Sequence, residues 1–140
     1  MRPLHALILA TGLFASAAVF AHSDNPDAPG PNGGQMRQAG AYDFELVMVK
    51  DSQDVKENPV IVYVTVHDKD KARTAGATGS ATILAGKLKA VSTLKPDGDN
   101  RMKGFAKYSS AADMKVVVSI TLNGQAAEQA RFTPLAKAVK

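Results

Sequence analysis

Two histidines define the metal chemistry open to this chain. His67 ends a strongly β-prone run and is followed by Asp68 and Asp70, which gathers an imidazole and two carboxylates at one strand end. Nitrogen and oxygen donors of that kind suit a borderline divalent ion. His22 becomes the first mature residue if a leader is cleaved after Ala21, and its α-amine and imidazole then form a chelate that Cu(II) favours. The plainer reading makes His67 an exposed strand-end residue in a solvated loop, where Lys69 and Lys71 balance the aspartates, and makes His22 a polar residue that the peptidase tolerates. Both readings stay open at this point. Asp68-Lys69-Asp70 also has the look of the start of a calcium loop, but the required glycine is missing and the twelfth place, which needs a glutamate, is Gly79.

Other chemistry finds less support. Met36, Met48, Met102 and Met114 are soft donors in principle, yet no two stand as a close pair; Met48 lies on an apolar strand face, and the other three are expected at strand edges or turns. Nucleophilic catalysis needs a base set against a Ser, Thr or Cys and a third group that orients the base. The chain has no cysteine, and neither a nucleophile elbow nor a phosphate-binding loop nor a dinucleotide fingerprint occurs. The expectation is a protein that is not an enzyme, without disulfide or thiolate site.

The elements that would position these residues follow from the pattern. Arg2, an apolar run over residues 6–20 and the small-x-small string Val19-Phe20-Ala21 together read as a cleaved signal peptide, residues 1–21. The run is too short for a stable membrane anchor, so the expected place is the periplasm, with no membrane span after cleavage. Residues 22–34, HSDNPDAPGPNGG, hold no large apolar side chain and are expected as a flexible arm. Residues 42–49 alternate with the period of two that puts one face on a core, and residues 60–67 form the most β-prone run of the chain. Further strands are expected at 80–84, 88–94, 101–108, 115–122 and 125–132, the last two joined by a tight type I′ turn at Asn123-Gly124. About seven short strands at roughly ten-residue spacing predict an all-β fold, an immunoglobulin-like antiparallel β-sandwich over residues 35–132, with 133–140 as a frayed tail. The 17 basic and 13 acidic residues are interspersed rather than gathered into a stripe with aromatics, which argues against a nucleic-acid partner.

Several strings taken together, Pro31-Asn32-Gly33-Gly34, Tyr42-Asp43-Phe44-Glu45-Leu46-Val47, Val66-His67-Asp68, Ala81-Thr82-Ile83-Leu84, Thr93-Leu94-Lys95-Pro96, Val116-Val117-Val118-Ser119-Ile120-Thr121-Leu122 and Ala130-Arg131-Phe132, resemble a known family. It is that of small periplasmic proteins associated with heavy-metal efflux pumps of the resistance-nodulation-division type, and of a similar segment in the pumps' membrane-fusion subunits. A histidine often precedes the glycine pair in that family; here Asn32 stands in its place and a possible ligand is gone. A looser similarity is to periplasmic copper-carrier sandwiches that use a mature amino-terminal histidine, which His22 would supply, although their further histidines are missing. The resemblance implies a non-enzymatic periplasmic protein that holds or transfers copper or another divalent metal ion for an efflux or homeostasis system, with a metal efflux complex of the cell envelope as partner. The alternative is a protein-interaction module of an envelope assembly that binds no metal. The number of histidines near one rim separates the two readings, and His22 and His67 leave the question open.

Overall fold

The structure, a computed structural model, describes residues 28–66 and 70–136. Within them the chain is all-β and antiparallel, with nine strands: β1 (Gln35–Ala39), β2 (Tyr42–Met48), β3 (Lys56–Val66), β4 (Asp70–Lys71), β5 (Thr78–Ala85), β6 (Leu88–Pro96), β7 (Arg101–Tyr108), β8 (Lys115–Thr121) and β9 (Ala127–Phe132). Two of these, β1 and β4, were not expected. β1 reads QMRQA, with no sustained alternation, and β4 is only two residues long.

Hydrogen-bonded neighbours run β1-β2-β3-β7-β6-β5-β8-β9, with β4 on the side of β3. The alternation in β2 and β3 works as their patterns imply. Phe44, Leu46 and Met48 pair with Val64, Val62 and Val60, and all six are buried. From the other end of the path Ala81, Ile83, Val116, Val118, Ile120 and Phe132 enter the same core. Met102 and Met114 are also wholly buried there as core filler; Met102 is the second residue of β7, and Met114 closes a turn on the Ala111 carbonyl at 3.1 Å.

β6 joins the two halves of the path. Residues 88–94 pair with β5, and Lys95 and Pro96 pair with β7. The passage from one neighbour to the other brings β6 hard against β7 at Gly104, where an added Cβ would collide with Ser92 Oγ and the Thr93 carbonyl oxygen. Glycine is the residue that allows so close an approach of two backbones. The path then nearly closes on itself, because β1 and β9 meet through side chains rather than through a ladder. The Gln35 amide receives the Thr133 N–H on Oε1 at 2.8 Å and donates from Nε2 to the Thr133 carbonyl at 3.3 Å.

The hairpin between β8 and β9 is wider than a type I′ turn. Thr121 pairs with Ala127, so residues 122–126 form the connection, and Gln125 N–H closes a turn on the Leu122 carbonyl at 2.9 Å. Gly124 still carries the positive φ, 74°, that its position requires.

Candidate functional site

Of the residues expected to bind metal, His22, His67 and Asp68 lie outside the described residues. Asp70 is described. It is exposed and sits directly across from Val66 in the β3–β4 ladder, with Thr65 opposite Lys71. Among the described residues, no group of three or more His, Asp or Glu side chains is close enough to hold an ion.

The neighbouring rim is built from backbone. Thr74, fully buried, donates N–H to the Asp99 carbonyl at 3.0 Å and Oγ1–H to the Gly98 carbonyl at 3.0 Å. Asn100 trades bonds with Val64, its carbonyl accepting at 2.8 Å and its Nδ2 donating at 3.1 Å. Arg101 pairs with Asp97 at 2.8 Å and stands opposite Tyr63 in the β3–β7 ladder; Tyr63 first and Asp97 second hold its guanidinium protonated even more firmly than usual. These bonds stitch the 97–100 turn to the end of β3.

The glycine pair Gly33-Gly34, with Asn32 before it, has a role that its composition did not reveal. Residues 28–34 belong to the segment expected as a flexible arm, whose remainder, 22–27, lies outside the described residues; here the chain turns back over β2. Gly30 N–H bonds the Gly34 carbonyl at 2.8 Å, Gly33 N–H the Gly30 carbonyl at 2.9 Å, and Lys50 Nζ the Gly33 carbonyl at 2.8 Å. Glu45 lies under this clip, only 2% exposed, although it points away from the core side of β2. Its Oε1 accepts from Asn32 N–H at 2.7 Å and Gly34 N–H at 3.0 Å, and its Oε2 accepts from Asn32 Nδ2 at 2.8 Å. Burying a carboxyl group so fully requires compensation of this kind. The signal was in the sequence, as a lone glutamate within an apolar alternation and a turn string whose Asn32 stands 13 residues before it, but only the pairing of the two gives it meaning.

A shallow cleft of about 130 Å³ lies between this clip and residues 134–136, lined by Pro29, Gly33, Gly34, Gln35, Lys50, Pro134 and Ala136. That is below the roughly 300–1,000 Å³ of a small-molecule site.

The surface is more distinctive than the cleft. On the outward side of β6, β5, β8 and β9, the cross-strand rows read Lys89–Leu84–Lys115 and Val91–Thr82–Val117–Arg131. Leu84 is 44% exposed and Val91 61%. Strands β5, β6 and β8 contain no Asp or Glu, and the one acid of β9, Glu128, pairs with the inward Ile120 and lies against Gly40. The outward side of β2 and β3, by contrast, carries Asp43, Glu45 and Glu57. Positive charge and exposed aliphatic surface thus share one face.

Comparison with protein-family models, with characterised proteins and with solved structures gives no match.

Proposed function

We propose that this chain is a non-enzymatic binding module of the cell envelope, an immunoglobulin-like β-sandwich exported to the periplasm, that works by docking one sheet face on a partner. The observation that carries the reading is the outward row Lys89–Leu84–Lys115 with Val91 beside it. Large aliphatic side chains set contiguously on a strand face and flanked by one sign of charge are a surface suited to contact. The sandwich description is supported by the common core into which the β1-β2-β3-β7 and β6-β5-β8-β9 halves both send alternate side chains. Buried polar side chains support a scaffold role: Glu45, Thr74, Ser52 and Asn58 all hydrogen-bond loop or strand-end groups.

The test is lysine footprinting with an amine-reactive reagent, on intact envelopes and on the purified chain. Lys89 and Lys115 are expected to be protected in the envelope while exposed Lys56 and Lys107 react equally in both. Equal reactivity at all four positions would remove the docking reading.

A second reading, that the chain holds copper or another divalent ion for an efflux or homeostasis system, is favoured by one observation. The Val66–Asp70 pairing fixes both flanks of the three-residue stretch that contains His67 and Asp68. Copper titration of the correctly started chain beside His67→Ala and Asp70→Asn variants tests it, with equal affinity in all three as the contrary result.

A further inference from the structure

We propose that the occupant of the outward face of β6-β5-β8-β9 is an anionic lipid surface, so that the protein is a peripheral membrane binder. The inference rests on the docking reading above and names its partner.

Three features of the face point to lipid headgroups. Its charge is of one sign: Lys89, Lys115 and Arg131 are exposed there, and no carboxylate of β5, β6 or β8 offsets them. A bilayer of anionic headgroups asks only for cations, with no register to fix. The cations are also spread rather than focused. Lys89 and Lys115 flank Leu84 from the strands on either side, about 10 Å apart at the two-strand spacing, and Arg131 stands a further strand away in the next row. Such a spread matches a planar array of headgroups better than a single acidic anchor. Finally, the apolar part is aliphatic. Leu84 and Val91 are exposed and Val117 is half-buried beside them, with no aromatic anchor among them, while protein hot spots draw on Trp, Tyr and Arg set in desolvated recesses. Lysine stems can lie along Leu84 and still lift their ammonium groups to phosphate, which lets the aliphatic tips enter the headgroup layer without stranding a charge.

The opposite outward side does not share this character. Phe105 is exposed there, but Lys103 sits over its ring at 5.3 Å and Glu57 stands opposite Lys107 in the β3–β7 register, so both signs of charge are present. Charge reversal on this side therefore serves as the control.

The experiment is flotation of the chain, its amino terminus read by intact mass, with vesicles of phosphatidylethanolamine and phosphatidylglycerol and, separately, of phosphatidylcholine alone. Binding is expected to the first and not the second, weakening as salt is raised. The K89E/K115E/R131E variant should bind about tenfold or more weakly, the L84S/V91S variant several-fold more weakly, and the K56E/K103E/K107E variant, which changes net charge equally, like the parent. Melting curves identify any variant that fails to fold; K89Q/K115Q/R131Q then replaces the reversal. Equal loss in both triple variants would reduce the effect to net charge and overturn the proposal, as would no binding to the anionic vesicles. A parallel titration uses soluble poly-glutamate. Binding to that polymer through the same three cations, without vesicle binding, overturns the lipid assignment and leaves docking on an acidic protein. Binding to neither removes the docking reading as well.

Discussion

Asn32 covers Glu45 with both its backbone and its side chain, donating N–H to one carboxyl oxygen at 2.7 Å and Nδ2–H to the other at 2.8 Å. The two residues are thirteen apart, and their bonds turn a proline- and glycine-rich stretch into a lid on the outer side of β2. Asn32 is therefore a clip residue.

Removing either partner should destabilise the fold, since a buried polar group left without its partner costs about 1–3 kcal/mol. Glu45→Ala, which strands three donors, is expected to cost more than Asn32→Ala. Glu45→Gln should fall below both, because one oxygen still accepts from the two backbone donors and the Asn32 amide can turn over to accept from the new one. Urea denaturation of the three variants checks the order, and a double-mutant cycle should return a coupling above about 0.5 kcal/mol.

The buried Tyr108 hydroxyl donates to the Pro59 carbonyl at 2.6 Å and accepts from Val49 N–H at 3.1 Å. Burial pushes its phenol above the ordinary 10.0, and the Val49 bond offsets only part of that rise. The folded state therefore holds this proton to higher pH than the unfolded chain does. The stability it contributes is complete below about pH 10 and is lost as pH climbs through the raised value. Tyr108→Phe should lower stability at neutral pH by roughly 1–3 kcal/mol and flatten the alkaline limb of a plot of stability against pH. An alkaline limb of unchanged slope would contradict the assignment.

The β6 crossing makes two substitutions differ in sign. Gly104→Ala drives a methyl group into Ser92 Oγ and the Thr93 carbonyl, and overpacking of that kind costs about 1–3 kcal/mol. Ser92→Ala removes a buried hydroxyl that has no hydrogen-bond partner among the described residues, so it should leave the fold unharmed or raise its stability by up to about 1 kcal/mol. Thermal unfolding of both reads the contrast directly.

Strand identity was legible wherever alternation was strong, as in β2, β3 and β8, because period-two burial writes itself into the residue types. β1 and β4 escaped because one is polar and short and the other is two residues long. The β6 crossing and the seam between Gln35 and Thr133 escaped for another reason. They depend on contacts between residues far apart in the chain, 98 apart for the seam, which no local pattern encodes. The cationic face stands between these cases. Lys89, Leu84 and Lys115 each look like an ordinary surface position in sequence, and they become one row only when β6-β5-β8 are set side by side. Asp70 was read as a metal-site carboxylate at the rim beside His67 and Asp68; it lies exposed in β4, opposite Val66.

Docking through the proposed β6-β5-β8-β9 face is tested most directly by fractionation of cells that produce the parent chain or K89E/K115E/R131E. The parent is expected to sediment with the envelope and to be released by high salt, while the variant, equally folded and processed, stays in the soluble fraction. Equal distribution of the two proteins would contradict it.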